Sequence, residues 1–294
     1  MSQKHGAERV RNTRVLNTIV GYVNRYKTQE FDRVRLVHEQ EQPRRMRPWD
    51  DDEFLEQLAE KTAYQATRAD RLEGLFMKPF WWRAFATFKV DVVARLRPKN
   101  IERVYWDRLK PIRFPAKIAR IVDSAKVIRS IRQESGDFGA YLKSFRIPPR
   151  IRKEKDVRDF WRSVERLRAD MEQRGMPSLW RWPTLLHFLM EDMGYDCVKP
   201  DVVAMRVGYV TGIVRSTDGD ENQRSLVEAV QCYALDSNVR PPDMDTYLLC
   251  FGGQSSTVDY VTKDFPTCRS DTRCTNRACP VGAKGLCIIR TQSR

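Results

Sequence analysis

One segment limits the fold of this chain more than any other. DVRDFWRSVERLRADMEQR, residues 156–174, carries apolar side chains at helical spacing and stops at Gly175. A second helical stretch runs from about Thr184 to Met193 and stops at Gly194. Only the eight residues GMPSLWRW lead from the first to Pro183, and so short a connection obliges the two helices to lie side by side as a hairpin. The rest of the chain follows the same pattern. VLNTIVGYVNRY places Val15, Leu16, Ile19, Val20 and Val23 on one side of a helix. Three acids after Pro48 favour a helix N-terminus, and Leu55, Leu58 and Leu72 recur at helical spacing behind them. Between 81 and 145, WWRAFATF, VDVVARL, IERVYWDRL, PAKIARIVDSAKVIRSIRQ and FGAYLKSF read as short helices punctuated by Pro98, Pro111, Pro115 and Gly136. The best strand signal, VVAMRVGYV, can equally be helical. The expected class is therefore mostly α, with no repeat or low-complexity tract.

Composition narrows the partners. Hydrophobic residues make up 41% of the 294 and aromatics 10%, too much buriable side chain for a disordered chain. No apolar run approaches the roughly 18 residues of a membrane span, and no apolar core follows the basic start MSQKHGAERVRN. A cytoplasmic protein without membrane association, working as a monomer, is the expectation. Lys and Arg number 53 against 39 Asp and Glu, a net charge of +14. Such an excess favours a polyanion, nucleic acid first, because neutralised phosphates release their counterions; a merely solvated basic surface is the competing explanation. Between Arg95 and Arg132, 12 basic residues, Lys117 among them, face only Glu102, Asp107 and Asp123. A phosphate backbone would lie there most easily.

Taken singly, the chemistry-bearing residues leave alternatives open. A helical hairpin is either packing or, where its turn amides and the N-terminus of its second helix point outward, a phosphate cradle. Asp201 follows Pro200 and is well placed to cap a helix. Gln65, in YQATRADRL, reads alone as a solvent-facing amide, and His187 on the apolar face of WPTLLHFLM as a buried histidine satisfied by backbone. Four of the seven cysteines crowd the end: Cys268, Cys274, Cys279 and Cys287, spaced C-x5-C-x4-C-x7-C. Without a secretory signal a metal site outranks disulfides, and four thiolates suit either a [4Fe–4S] cluster or tetrahedral Zn2+. Cys197, Cys232 and Cys250 lie in apolar contexts and read as core.

Order and spacing join these signals. AYQATRADRL resembles the helix carrying a SAQAT-type motif, LKPIRFPAKIARIVDSAKVI one reading K-A-x-x-I, MPSLWRWPT the hairpin L-P-G-V-G-R-K-T, and KPDVVAMRVG the segment V-D-T-H-V-x-R-V. ESGDFGAYLKSF is close to a stretch of 3-methyladenine DNA glycosylase I. From about residue 50 to the last cysteines the chain thus resembles the helix-hairpin-helix DNA glycosylases, the superfamily that also includes endonuclease III. The resemblance implies a two-lobed helical fold with a C-terminal Cys-rich metal loop. Along the chain it implies a basic N-terminal extension over 1–47, a glycosylase domain over 48–262 with its hairpin at 175–184, and a metal-binding loop over 263–294.

It also implies an activity and a set of residues. A glycosylase swings a base out of double-stranded DNA into a pocket and breaks its glycosidic bond. Asp201 matches the catalytic Asp, whose carboxylate would stabilise an oxocarbenium-like sugar. Gln65 matches the residue that fills the gap left by the flipped nucleotide, with Thr62 and Trp182 at the base pocket. Ser178, Trp180, Arg181, Thr184, Lys199 and Lys117 are the expected DNA contacts. Endonuclease III-like members carry an iron–sulfur loop where the four cysteines lie, with the tighter spacing C-x6-C-x2-C-x5-C, so a [4Fe–4S] cluster is expected ahead of Zn2+. Three departures shape the reading. Trp182 stands where bifunctional members have their Schiff-base Lys, which implies a monofunctional enzyme. Ser178 and Trp180 replace the hairpin glycines. Thr62 replaces a base-pocket Glu of 3-methyladenine DNA glycosylase I, so methylated adenine does not follow as the substrate; a damaged or modified base is the leading expectation, and the basic N-terminus and altered hairpin leave room for a bulky hypermodified pyrimidine in phage defence. The alternatives are a base-hypermodification enzyme and a DNA-binding protein of the same fold without turnover.

Overall fold

The computed structural model describes residues 3–33, 35–36, 50–67, 69–72, 74–177, 179–253, 259–265, 268 and 279–289. Among these the secondary structure is helical, with an isolated antiparallel bridge between Lys27 and Val261. No described helix is long and apolar enough to cross a membrane. The chain forms two compact units, neither of them a continuous stretch: residues 1–44, 148–159 and 189–294 make the first, residues 45–147 and 160–188 the second.

The second unit is built on α2 (Asp51–Tyr64), α3 (Pro98–Leu109), α4 (Ala116–Ser135) and α5 (Phe138–Ser144), with the greater part of α6 (Glu154–Gln173) and α7 (Trp182–His187). Asp50 caps α2 by accepting the Glu53 N–H, as the acidic start predicts. The side chain of Asp51 turns inward to accept the Phe138 N–H at 2.8 Å, joining the starts of α2 and α5, and burial pushes its carboxyl pKa up. Above that bond Phe54 stacks on Phe138, ring centres 3.8 Å apart. On α4, Ile118, Ile121, Val122, Ala125, Ile128 and Ile131 are buried. Each fully buried aliphatic side chain of that stripe contributes about 1.5–3 kcal/mol.

The first unit holds α1 (Gln3–Val23), α8 (Val202–Val210), α9 (Asp220–Asp236), α10 (Pro241–Gly252) and the short α11 (Pro280–Ala283). Val15, Leu16, Ile19 and Val23 of α1 are buried as the periodicity predicts; Val20 is only half-buried, and Tyr22 takes a core place instead. Two arginines bind α1 to the rest of its unit. Arg9 pairs with Glu154 and Asp236, both at 2.7 Å, while Arg11 donates to the Thr211 and Gly212 carbonyls beyond the C-terminus of α8. VVAMRVGYV is helix, not strand, and Asp201 caps it.

The expected hairpin differs in detail. α7 begins at Trp182, two residues before the expected Thr184, with Pro183 in its first turn, where a missing N–H costs nothing. After His187 it gives way to a π turn over Phe188–Asp192. The long helix expected after Pro48 ends at Tyr64 and resumes only as Ala69–Leu72, because Ala66 takes a left-handed conformation, φ 51°.

Gly252 decides how closely α10 approaches α8. A Cβ there would lie 2.2 Å from Cγ1 of Val203 and 3.3 Å from Cγ2 of Val207. Both valines are buried in a helix, where β-branched side chains keep one rotamer and cannot step aside. Gly252→Ala should therefore destabilise the protein by about 1–3 kcal/mol, measured by denaturant unfolding; an unchanged midpoint would show that the two helices slide apart freely.

Candidate active site

In the first unit the residue before α8 is held from three directions. Pro200 keeps Lys199 extended, and the Asp201 N–H closes a tight turn on the Lys199 carbonyl at 2.8 Å. Oδ1 of Asp201 accepts the N–H groups of Val203 and Ala204 at 2.9 and 3.0 Å, which fixes the carboxylate at the positive end of the helix. Oδ2 lies 3.8 Å from the Lys199 ammonium, both side chains being partly exposed, at 22% and 28%. An ion pair so wet contributes little to stability, and its value is in placement. The neighbouring Val202 is 80% exposed, an apolar side chain left in water beside the carboxylate. The arrangement is an anchored carboxylate, one oxygen bound to its helix and the other on the side of solvent and Lys199, suited to stabilising a cation brought against it.

Two further carboxylates stand behind it, and neither was singled out in the sequence. Asp196 is buried and accepts from Arg150, Arg240 and the Ile151 N–H at 2.9–3.0 Å. Asp245, on α10, accepts the Lys199 N–H at 3.1 Å; burial, with Asp201 as the nearest like charge, pushes its carboxyl up to about 7. Both lie in segments of mixed charge, and only their long-range partners single them out.

In the second unit the residues expected to meet DNA surround the turn after α2. The amide of Gln65 is engaged: its Oε1 accepts from Arg120 at 2.9 Å and its Nε2 donates to Oγ1 of Thr184 at 3.3 Å. Arg113, itself at φ 75°, donates to the Ala66 carbonyl at 3.1 Å. Thr62 is fully buried, and its hydroxyl makes no hydrogen bond. Phe114, 41% exposed, lies under the Arg113 guanidinium.

One expectation is corrected here. Lys117 does not reach a phosphate: it is 2% exposed, and its ammonium donates to the Ala63 carbonyl and the Thr67 hydroxyl, both at 2.7 Å. Burial and the nearby Arg120 and Arg113 push its pKa down to about 8. A signal was present in the sequence, since Lys117 falls at helical spacing with Ile121 and Ile128 on the buried stripe. Trp182, expected at the base pocket, lies in the interior of the second unit. It is buried, edge-on to Trp161 at 5.4 Å, with the Arg168 guanidinium 4.4 Å over its ring. Trp180 is half-buried and Arg181 exposed, the guanidinium 5.2 Å over the indole, so these two remain the accessible side chains of the hairpin. Ser178 lies outside the described residues.

Three of the four clustered cysteines are described. Cys279 and Cys287 are buried on either side of α11, which packs on α1, and the Cys268 N–H donates to the Phe251 carbonyl at the end of α10. Cys274 lies outside the described residues, and among those described no group of three or more His, Cys, Asp or Glu side chains is gathered as a metal site. The donor chemistry, four thiols in one segment, fits a thiolate-ligated cluster or zinc.

Removing the Lys117 amine should show what it holds. Lys117→Met leaves the Ala63 carbonyl buried without its donor, so the variant should lose about 1–3 kcal/mol of stability near neutral pH. The deficit should widen with alkalinity. The folded-state pKa of Lys117 is about 8 against an ordinary value of 10.5, so the unfolded chain binds more protons between the two and the wild type gains stability across that window. Denaturant midpoints at several pH values test this, and a deficit that shrinks on the alkaline side would overturn it.

Comparison with known families bears on the same region. Residues 53–198, about half of the chain, match the family model for methyladenine glycosylase. The match takes in Thr62, Gln65, Lys117, the hairpin and Thr184, and ends three residues before Asp201. No curated protein and no solved structure matches the chain. The match, on a helical fold, supports a relationship to the DNA glycosylase superfamily.

Proposed function

We propose that the protein is a monofunctional DNA N-glycosylase: it flips a base out of double-stranded DNA and hydrolyses the glycosidic bond, leaving an abasic site. The observation that carries this reading is the anchored carboxylate of Asp201, held by the amides of α8 with its second oxygen beside Lys199. As the bond to the base breaks, positive charge develops on the sugar; a fixed carboxylate stabilises it without reorganising and orients the attacking water. Strand cleavage would need an amine at the sugar. Trp182 occupies the hairpin position where such a lysine would stand, and Lys117 is enclosed on its two acceptors. Lys199 remains as the amine nearest Asp201.

The base itself is read as other than methylated adenine. Thr62 supplies a buried hydroxyl where a carboxylate would serve that substrate. A damaged or modified base is the substrate class we propose, with a bulky hypermodified pyrimidine, and with it a role against phage DNA, as the second reading. We further propose that Cys268, Cys274, Cys279 and Cys287 hold a [4Fe–4S] cluster, with Zn2+ as the alternative. Bound there, either would cross-link the C-terminal segment as a structural clamp beside α1 and α10.

Incubation with DNA panels containing alkylated, oxidised, deaminated and glucosylated bases should give alkali-labile sites with one class and no breaks before alkali. Asp201→Asn should cut single-turnover excision by orders of magnitude with DNA affinity little changed, and full excision by that variant would remove Asp201 from the chemistry. Breaks without alkali, with a borohydride-trapped adduct lost in Lys199→Ala, would make the enzyme bifunctional. Aerobically purified protein should be brown and contain iron and sulfide; a colourless protein with one zinc favours the alternative, and neither metal removes both.

A further inference from the structure

The proposed excision rests on one carboxylate, and the fold puts a second behind it. Asp245 lies in the interior near the start of α10, where its Oδ1 accepts the Lys199 N–H at 3.1 Å. The Lys199 carbonyl accepts the Asp201 N–H, and Asp201 in turn accepts the first amides of α8. A continuous run of hydrogen bonds thus leads from α10 through the backbone of Lys199 to the Asp201 carboxylate. The far end of α10 is fixed as well, because Gly252 sits against Val203 and its carbonyl accepts from Arg206 at 2.7 Å. Asp245 therefore bears on Asp201 from a helix that cannot back away.

We propose that Asp245 is a positioning residue for Asp201: it holds the Lys199–Asp201 turn against α10, and by gaining or losing a proton it changes the charge that Asp201 works in. The inference rests on the reading of Asp201 as the excision carboxylate. The groups acting on Asp245 are Asp201 and Lys199 from the loop before α8 and Glu191 from the π turn. The Cys197 thiol, pushed up by burial and by Asp196 and Asp245, lies in the same field and stays neutral. Burial and Asp201 outweigh Lys199, which sets the carboxyl at about 7, so it exchanges its proton across neutrality. Above that point a second negative charge stands behind Asp201 and favours the cationic sugar, so excision rises with pH.

Asp245→Asn keeps an oxygen for the Lys199 N–H but cannot ionise, whereas Asp245→Leu loses both. On the full chain, single-turnover excision by the wild type should rise several-fold from a pH of about 6 to about 8. In Asp245→Asn the ratio of the two rates should fall toward one, and Asp245→Leu should lose excision at both. A second readout needs no turnover. The folded carboxyl titrates near 7 and an ordinary one at 3.8, so the folded state binds more protons between them and the wild type loses stability as pH climbs through that window. Denaturant unfolding should show this loss in the wild type and not in Asp245→Asn. A stability step that persists in Asp245→Asn would mean that another group titrates. An excision step that persists while the stability step vanishes would mean that Asp245 titrates without acting on Asp201. Either overturns the proposal. Absence of excision by the wild type on every base would instead bring down the glycosylase reading, and the proposal with it.

Discussion

The first unit depends on a single buried carboxylate, Asp196. Its two oxygens draw in Arg150, Arg240 and the Ile151 N–H, while its own N–H donates to the Pro149 carbonyl and its carbonyl accepts from Gln231 of α9. Burying a charge is costly unless it is paired and hydrogen-bonded, and here the carboxylate is, by two guanidiniums and an amide from two stretches far apart in sequence. Arg240 is the residue before α10 and Gln231 lies on α9, so one side chain sets the origins from which the helices around Asp201 run. Four residues separate Asp196 from Asp201, too few to absorb an error in that origin. The geometry of the candidate site is inherited from a hub that takes no part in the chemistry.

The second unit has its own polar junction, of a different kind. Ala66 and Arg113 both hold positive φ without being glycine, a strain of order 1–3 kcal/mol each that persists only where the surroundings over-determine it. Lys117 supplies that determination. Its ammonium ties the carbonyl at the end of α2 to the Thr67 hydroxyl, which itself donates to the Ile112 carbonyl next to Arg113. Gln65 projects from the turn so formed and meets Arg120 and Thr184. Meeting DNA with Gln65 therefore requires exchanging those two partners, so entry into a duplex is a replacement of hydrogen bonds and not a release of an idle side chain.

Much of this was legible in the sequence where cause and effect are local. Pro200 before Asp201 announces a cap, and the cap is there; the apolar spacing of α4 and α6 announces helices that form within a few residues of the expected bounds, while α1 starts twelve residues before the expected Val15. The end of α2 was misjudged because its termination is set by the left-handed Ala66 and the Lys117 clamp, neither of which leaves a Gly or Pro in the text. Lys117 was misplaced because its charge was given more weight than its position on a buried face. Asp196 and Asp245 were illegible for a deeper reason: an acidic residue announces itself only through partners, and theirs come from 40 to 50 residues away.

Arg11 has a bearing on the candidate site that its place in the sequence hides. Helix α8 has a carboxylate at the residue before its first and, from Arg11, 200 and 201 positions away in the chain, a guanidinium on the two carbonyls past its last. The peptide dipoles of a nine-residue helix are thus matched at both poles, negative at the amide end and positive at the carbonyl end. One pole is the group proposed to meet the sugar; the other is supplied by the N-terminal helix, which falls outside the region that matches the glycosylase family. The helix of Asp201 lies outside that region too, so a boundary drawn around the familiar part of the chain would leave out the helix and its counter-charge together.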